Sequence, residues 1–524
     1  MKHVSPASLC GKVYIETVEN DRAIVAAFSE VEEQEYTACL QLLLRCGFEK
    51  KEEYQNGTHR FCALFRDGVG VFVNYFGGIR EMYVTEEENT LYFSYADTPS
   101  APKHKPRITQ PALEDFGMCY VIRLSDGRFI VIDGGRELEP DCDKLFKVLT
   151  EGTEDGMPTV AAWIFTHPHS DHLNCFNLFM DKYADRVAIE KFLFSFPRAD
   201  DVELYPALPK KNAYFKDSSA TTNIALAYAH IERIGATVYT AHTGQRYRIG
   251  DALCTILASM DDTVHLSHNI NSSSLIIRME LGEQIILWAA DASFEDTRLA
   301  DRYGRTLRAD ILQVPHHGFG NGSADEQIRA YELIRPAVCL LPVSDYNAYT
   351  MFCTFRKGTS YLMHMPSLKE MITGERERTI TLPYEAPESA KDELASRVTA
   401  GRADAGSHTW VFSELSTDEA EDFEFTVLNM TQIAATVSVD LFFEEKARSI
   451  RYIRFEVAAN TLKRLSVIGE EVDGNAVYYN PYALKTRGIP AHAPFAVRFM
   501  SDLPIVVSHK KHAPAYCSGI GRRS

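Results

Sequence analysis

The sequence predicts a central α/β architecture, two sheets covered by outer helices, set between a small α+β unit and an all-β stretch. Three observations carry that prediction. From about residue 105 to 384, short apolar runs alternate with helical patterns, as strands in hairpins interleaved with helices would. Three of those runs end in histidine or aspartate: Val160–Phe165 before Thr166-His167-Pro168-His169-Ser170-Asp171-His172, Ile285–Ala290 before Asp291, and Ile311–Val314 before Pro315-His316-His317-Gly318. Beyond about residue 409 the period falls to two, with Val437, Val439, Leu441 and Phe443 alternating with polar residues.

A chain of 524 residues exceeds a single hydrophobic core. Four segments are expected: 1–104, a small α+β accessory domain; 105–384, the central domain; 385–408, a linker; and 409–524, a β-sandwich. A net charge of −17 disfavours a nucleic acid as the main partner, because affinity there comes from neutralising phosphates. No apolar run is long enough to span a bilayer and Met1–Pro6 does not resemble a signal peptide, so no membrane partner is expected. The 11 cysteines are scattered with no Cys-x-x-Cys pair, which suits a reducing cytoplasm.

In order, Ser29-Glu30-Val31-Glu32 has capping-box form, and Tyr36, Leu40, Leu43 and Leu44 follow at helical spacing until Gly47. Strands are expected at Phe61–Phe65, Val69–Phe76, Glu81–Thr85 and Leu91–Tyr95. Met118–Leu124 and Phe129–Ile132 flank Ser125-Asp126-Gly127, a hairpin signal that leads into Asp133-Gly134-Gly135. Helices are expected around Asp141–Leu149, Leu173–Tyr183, Asn223–Ile234, Phe294–Tyr303 and Ala324–Ile334. Between the second and third of them, Phe196–Thr222 is polar and bears Lys210, Lys211 and Lys216, the composition of a loop that could gate a substrate. Residues 385–407 are rich in Ala, Ser, Gly and charge, a linker with some helical character.

Three imidazoles and a carboxylate within His167–His172 are far more than a packed core needs. They are the N and O ligands that a zinc-like divalent ion takes. Each polar group follows a buried strand, so the three clusters fall at one edge of the sheets, where α/β folds place their sites.

His167-Pro168-His169-Ser170-Asp171-His172, the strand-end Asp291 and His316-His317-Gly318 together resemble the metallo-β-lactamase superfamily, in its competence-type and phosphoesterase-like branch. The resemblance covers about residues 105–385 and implies an αββα sandwich of metallo-β-lactamase type with a dinuclear site. It implies that two divalent metal ions are bound, zinc first among the candidates, with iron and manganese also accepted by such ligands. His167 and His169 would hold the first and Asp171 and His172 the second, with Asp291 bridging. One of His316 and His317 would complete the site, and the other would be free to contact substrate. A further histidine on the first metal would come from His265 or His268, with His268 preferred. The implied chemistry is a metal-bound hydroxide, oriented by Asp171 as the catalytic residue, that cleaves an ester-like bond of a small-molecule substrate, a phosphoester or a lactone.

In the last segment, Trp410-Val411-Phe412, Val427-Leu428-Asn429, Leu441–Glu445 and Ser501–Val507 resemble the sensory rhodopsin transducer family. That resemblance implies a binding module able to form a homo-oligomer. The alternative function is a sensor or scaffold that holds metal or ligand without turnover and signals through this sandwich.

Overall fold

The computed structural model describes residues 14–19, 23–93, 101–154, 156–196, 218–262, 270–345, 347–353, 356–400, 407–416, 422–443, 450–466, 494–512, 518–520 and 522–523. Most of the Phe196–Thr222 loop, His265 and His268 lie outside them. The chain divides into two compact units, Met1–Ser344 with Arg356–Lys391, and Asp345–Phe355 with Asp392–Ser524.

In the first unit, the N-terminal strands form a six-stranded antiparallel sheet in the spatial order Tyr14–Glu19, Ala23–Phe28, Glu81–Glu88, Val69–Phe76, His59–Arg66, Glu49–Asn56. The Glu33–Arg45 helix buries Tyr36, Cys39, Leu40 and Leu43, as their spacing predicts. Its capping box is Glu32 with Glu35, whose carboxylate accepts from the Glu32 N–H at 2.8 Å, and not the expected Ser29–Glu32 pair. Leu91–Phe93, expected in a strand, has no ladder partner; the sheet's last strand runs on to Glu88 instead.

Two further sheets build the sandwich. One runs Thr237–Thr240, Lys191–Phe194, Thr159–Ile164, Phe129–Asp133, Cys119–Arg123, Arg107–Gln110, Arg378–Thr381. The other runs Arg246–Ile249, Ala252–Ala258, Ile276–Leu281, Gln284–Trp288, Ile311–Gln313, Val338–Leu341, Glu370–Thr373. Their facing side chains share one core, with Tyr120, Ile130, Ala162 and Ile164 from the first and Ile277, Trp288, Ile311 and Leu340 from the second. The outer face of the first sheet is covered by Leu145 and Leu149 of the Glu139–Glu151 helix, Phe176 and Phe179 of Ser170–Tyr183, and Ile224 and Ile231 of Ser218–Ile234. Alternate residues of one strand thus serve two cores, which is why Val160–Ile164 carries no polar side chain at all. With the short helices Ala324–Ile334 and Lys357–Met363 beside the second sheet, the domain is an αββα sandwich.

The expected Phe294–Tyr303 helix is confined to Leu299–Tyr303, and the strands Arg107–Gln110, Arg246–Ile249, Glu370–Thr373 and Arg378–Thr381, at or next to the sheet edges, were not foreseen. They are four residues each and polar, too short for a period-two signal.

The second unit is β-rich. Its long strand Pro494–His512 pairs with Ala435–Phe443 and Ser407–Ser416 through its first half and with Asp422–Asn429 through its second. One strand serving two sets of partners closes the sheet around Phe425, Val437, Val439, Phe499 and Val507. Within the expected 385–408 linker, Glu388–Ala400 is a regular helix. The described cysteines are free thiols, and no described helix is long and apolar enough to cross a membrane.

Candidate metal centre

Two sets of parallel strands deliver the polar residues. In the first sheet, Phe129–Asp133 and Thr159–Ile164 run side by side, so their C-terminal ends reach the same edge. The chain then turns through Thr166–His169, and His169 occupies the N-cap position of the Ser170–Tyr183 helix. Asp171 and His172 therefore lie in a first helical turn, where unpaired N–H groups favour a carboxylate. In the second sheet, Gln284–Trp288 and Ile311–Gln313 are also parallel and end at Asp291 and at His316-His317.

Gln313 joins these two ends. Its fully buried amide accepts from Ala289 N at 2.9 Å and Ala290 N at 2.6 Å, and donates to Val314 O at 2.7 Å. Ala290, His316 and His317 all have positive φ (46°, 51° and 51°), and His316 N donates to Ala290 O at 2.9 Å. Non-glycine residues in that region cost free energy, so neighbours must hold them there. The Gln313 clasp and the glycines 318, 320 and 322, themselves at positive φ, do so.

The side chains converge on Asp291. His172 Nε2 is 3.3 Å and His317 Nε2 3.6 Å from its Oδ1, while His167 Nε2 is 3.8 Å and His316 Nε2 3.9 Å from its Oδ2. His317 Nε2 also lies 3.3 Å from Asp171 Oδ2 and 3.3 Å from His172 Nε2. His169 Nδ1 is 3.1 Å from His167 Nε2. Two sets bring ligand atoms within 4.8 Å of one another: His167, His172 and Asp291, and Asp171, His172 and His317. His167, His172, Asp291 and His317 are buried, whereas the His316 side chain is 27% exposed.

Asp133 is a residue whose role the sequence did not reveal. Fully buried, it accepts from Thr166 N at 2.7 Å, from Thr166 Oγ1 at 2.7 Å and from His172 Nδ1 at 2.7 Å. Thr166 Oγ1, its own proton committed to Asp133, accepts from His167 Nδ1 at 3.2 Å. His316 Nδ1 donates to Gly320 O at 2.9 Å. In all three rings Nδ1 donates to an oxygen and Nε2 is turned towards the site, the outer-layer pattern of metal-binding histidines. The sequence signal for Asp133 was available, a carboxylate ending an apolar strand before Gly134-Gly135.

Charge follows the same geometry. Burial opposes ionisation of His172, yet Asp291 and Asp133 hold its imidazole well above the usual range. Burial likewise opposes charge on Asp291 and Asp171, but His172 and His317 keep both carboxyls well below theirs. Burial, reinforced by the charge of His172, pushes His167 down.

These residues fit a divalent cation. Asp291 Oδ1 is buried and completes no hydrogen bond although two ring nitrogens face it, and His317 Nδ1 is likewise without a partner. Imidazole nitrogens and carboxylates, with no lysine or arginine paired to them among the described residues, are the donor set such an ion takes. Asn271 Nδ2 lies 3.2 Å from His316 Nε2.

A family model described as the metallo-beta-lactamase superfamily matches residues 112–326. Among solved structures the chain is similar to the metallo-beta-lactamase fold protein YhfI from Bacillus subtilis, at 14% identity over 53% of this chain and 99% of that one, TM-score 0.32. AidC, a dizinc quorum-quenching lactonase, is similar at 10% identity over 47% of this chain and 85% of its own, TM-score 0.24. The Anabaena sensory rhodopsin transducer is similar at 23% identity over 20% of this chain and 95% of its own, TM-score 0.15. No curated protein matches. Over residues 112–326, where the strand-end histidines and aspartates lie, the chain thus matches the metallo-beta-lactamase superfamily.

Proposed function

We propose that the protein is a divalent-cation-dependent hydrolase that cleaves an ester-like bond of a small molecule, a phosphoester or a carboxylic ester such as a lactone. The observation that carries this reading is the convergence of His167, His172 and His317 on Asp291, with the protons of His167 and His172 fixed on Nδ1. In this reading His167 and His169 would hold one cation, Asp171, His172 and His317 would hold the other, and Asp291 would be shared between them. His317 is preferred over His316 for the second set because it is buried and lies 3.3 Å from Asp171. When bound, the cations supply Lewis acidity, which acidifies an attacking water and polarises the scissile group.

The chain's own residues do the rest. Asp171 orients the attacking water by accepting one of its hydrogen bonds. Asp133 holds the His172 ring in one tautomer and one orientation. His316, partly exposed and with its Nδ1 proton held by Gly320 O, offers Nε2 as an acceptor to a donor group of the substrate in place of Asn271.

The test is elemental analysis of wild type and His169→Ala, together with hydrolysis of phosphodiesters, phosphomonoesters, lactones and β-lactams by the zinc-, iron- or manganese-loaded full chain. Stoichiometric metal in wild type, reduced in the variant, with turnover of at least one ester class is expected. Absence of stoichiometric metal from both proteins defeats the reading, and loaded protein inert on every class defeats its hydrolytic part.

A further inference from the structure

At the end of the first sheet away from the metal centre lies a second cluster of charged side chains. Cys119–Arg123 and Phe129–Asp133 are antiparallel, with Cys119 opposite Asp133 and Arg123 opposite Phe129. Arg123 therefore marks the far end of the ladder that holds Asp133. An open cleft of about 210 Å³ is found there, and Lys103, His104, Arg123, Asp126, Arg128 and Glu154 contribute to its lining.

The two arginines of this cleft differ. Arg128 is satisfied, since its guanidinium pairs with Asp126 at 2.7 Å and with Glu190 at 2.8 Å. Arg123 is not. Its side chain is only 12% exposed, and its buried Nε has no hydrogen-bond partner. The carboxylate nearest to pairing with it, Glu154, stays 3.6 Å away, is 66% exposed and is shared with His104 at 3.3 Å. That distance is too long for a hydrogen bond. The helix end bordering the cleft is closed by its own caps: Thr153 Oγ1 donates to Leu149 O at 2.8 Å and Gly152 N to Val148 O at 3.2 Å.

Arg107 enlarges the imbalance. It stands directly opposite Arg123 in the neighbouring antiparallel strand, where paired side chains share one face and like charges repel. Its side chain makes no ion pair among the described residues, and neither does that of the exposed Lys103, which lines the cleft. Burial and the charge of Arg123 both press the Arg107 guanidinium below its usual range. In a chain of net charge −17, two facing arginines and a lysine served by one exposed carboxylate are a local excess of positive charge.

We propose that this cleft is a second ligand site, separate from the metal centre, in which Arg123 and Lys103 bind the phosphate group of a small molecule. Arg107 adds charge from the next strand, and the exposed Glu154 carboxylate gives way to the ligand. The guanidinium fork matches the geometry of phosphate oxygens, and a bound dianion would supply the acceptors that Arg123 lacks. Pockets for drug-sized molecules run from about 300 Å³ upwards, so this smaller cleft suits a phosphate with at most a short substituent. The site does not depend on the hydrolase reading.

The test is calorimetric titration of the full chain with inorganic phosphate and with glycerol phosphate, both metal-loaded and after EDTA treatment. A single site that persists after EDTA is expected, because binding at the metal centre would leave with the cations. Arg123→Gln should weaken that site at least about tenfold, the scale of a lost hydrogen bond to a charged group. Arg107→Gln acts only through its field and should weaken it about threefold, as loss of an exposed ion pair would. Glu154→Gln removes the competing carboxylate and should tighten the site about threefold, a gain that a misfolded protein cannot show.

Equal affinity for the two ligands assigns the site to free phosphate, and tighter binding of glycerol phosphate assigns it to a phosphomonoester. Neither ligand bound after EDTA overturns the proposal. So does a site whose affinity is unmoved in both Arg123→Gln and Glu154→Gln.

Discussion

Glu87→Gln should destabilise the first unit and do so in a pH-dependent way. Glu87 closes the N-terminal sheet onto the sandwich through His242. Its Oε2 accepts from His242 Nε2 at 2.7 Å, and Asp261 accepts from Nδ1 at 2.5 Å, all within a buried cluster stacked against Phe72. Burial opposes charge on this imidazole, but the two carboxylates raise its pKa to about 10. Removing Glu87 leaves the buried imidazolium with Asp261 as its remaining carboxylate partner, at a cost of about 1.5–3 kcal/mol, the scale of a hydrogen bond to a charged group. The native pKa lies above the ordinary value of about 6.5, so the stabilisation is fully present below that pH. It is lost as pH rises through about 10. Urea unfolding in a Trp410→Phe background would follow Trp163 and Trp288, which lie in the first unit. The gap between wild type and Glu87→Gln should be largest near pH 6.5 and shrink towards pH 10. A gap below about 1 kcal/mol, or one constant across that range, would refute the argument that a charged His242 holds the two layers together.

Asp133→Asn should retain metal but weaken its affinity by about 10–100-fold, because His172 loses the carboxylate that fixes its ring; chelator competition would measure this, and an unchanged affinity would remove Asp133 from the site. Gln313→Leu should cost about 2–4 kcal/mol, since it strands the buried Ala289 and Ala290 N–H groups, and urea unfolding would show it. In the second unit Asp502 accepts from Thr436 N at 2.6 Å and Leu503 N at 2.8 Å, yet burial pushes its carboxyl up to about 6. A raised native pKa favours the folded state at low pH and is lost as pH rises through that value, so Asp502→Asn should be about 1–2 kcal/mol more stable than wild type at pH 8 and less so at pH 5. Thermal unfolding at the two pH values checks the sign.

Much of this was legible without the fold. Val160–Phe165, Ile285–Ala290 and Ile311–Val314 are apolar because both faces of their strands are buried, and that leaves a signature in any window of six residues. His167 to His172 also lie within one turn of chain, so their convergence is nearly a local property.

What the sequence left open involves partners far apart along the chain. Asp133 meets His172 across 39 residues, Gln313 meets Ala290 across 23, and Glu87 meets His242 across 155. The choice between His316 and His317 turns on two residues at positive φ whose Nε2 atoms point to different neighbours. Periodicity and ligand spacing record what each segment does alone. Which buried carboxylate faces which imidazole is set by the register of the parallel strands and the packing of one sheet on another, so the candidate ligand types were written in the chain and their outer hydrogen bonds came only with the tertiary structure.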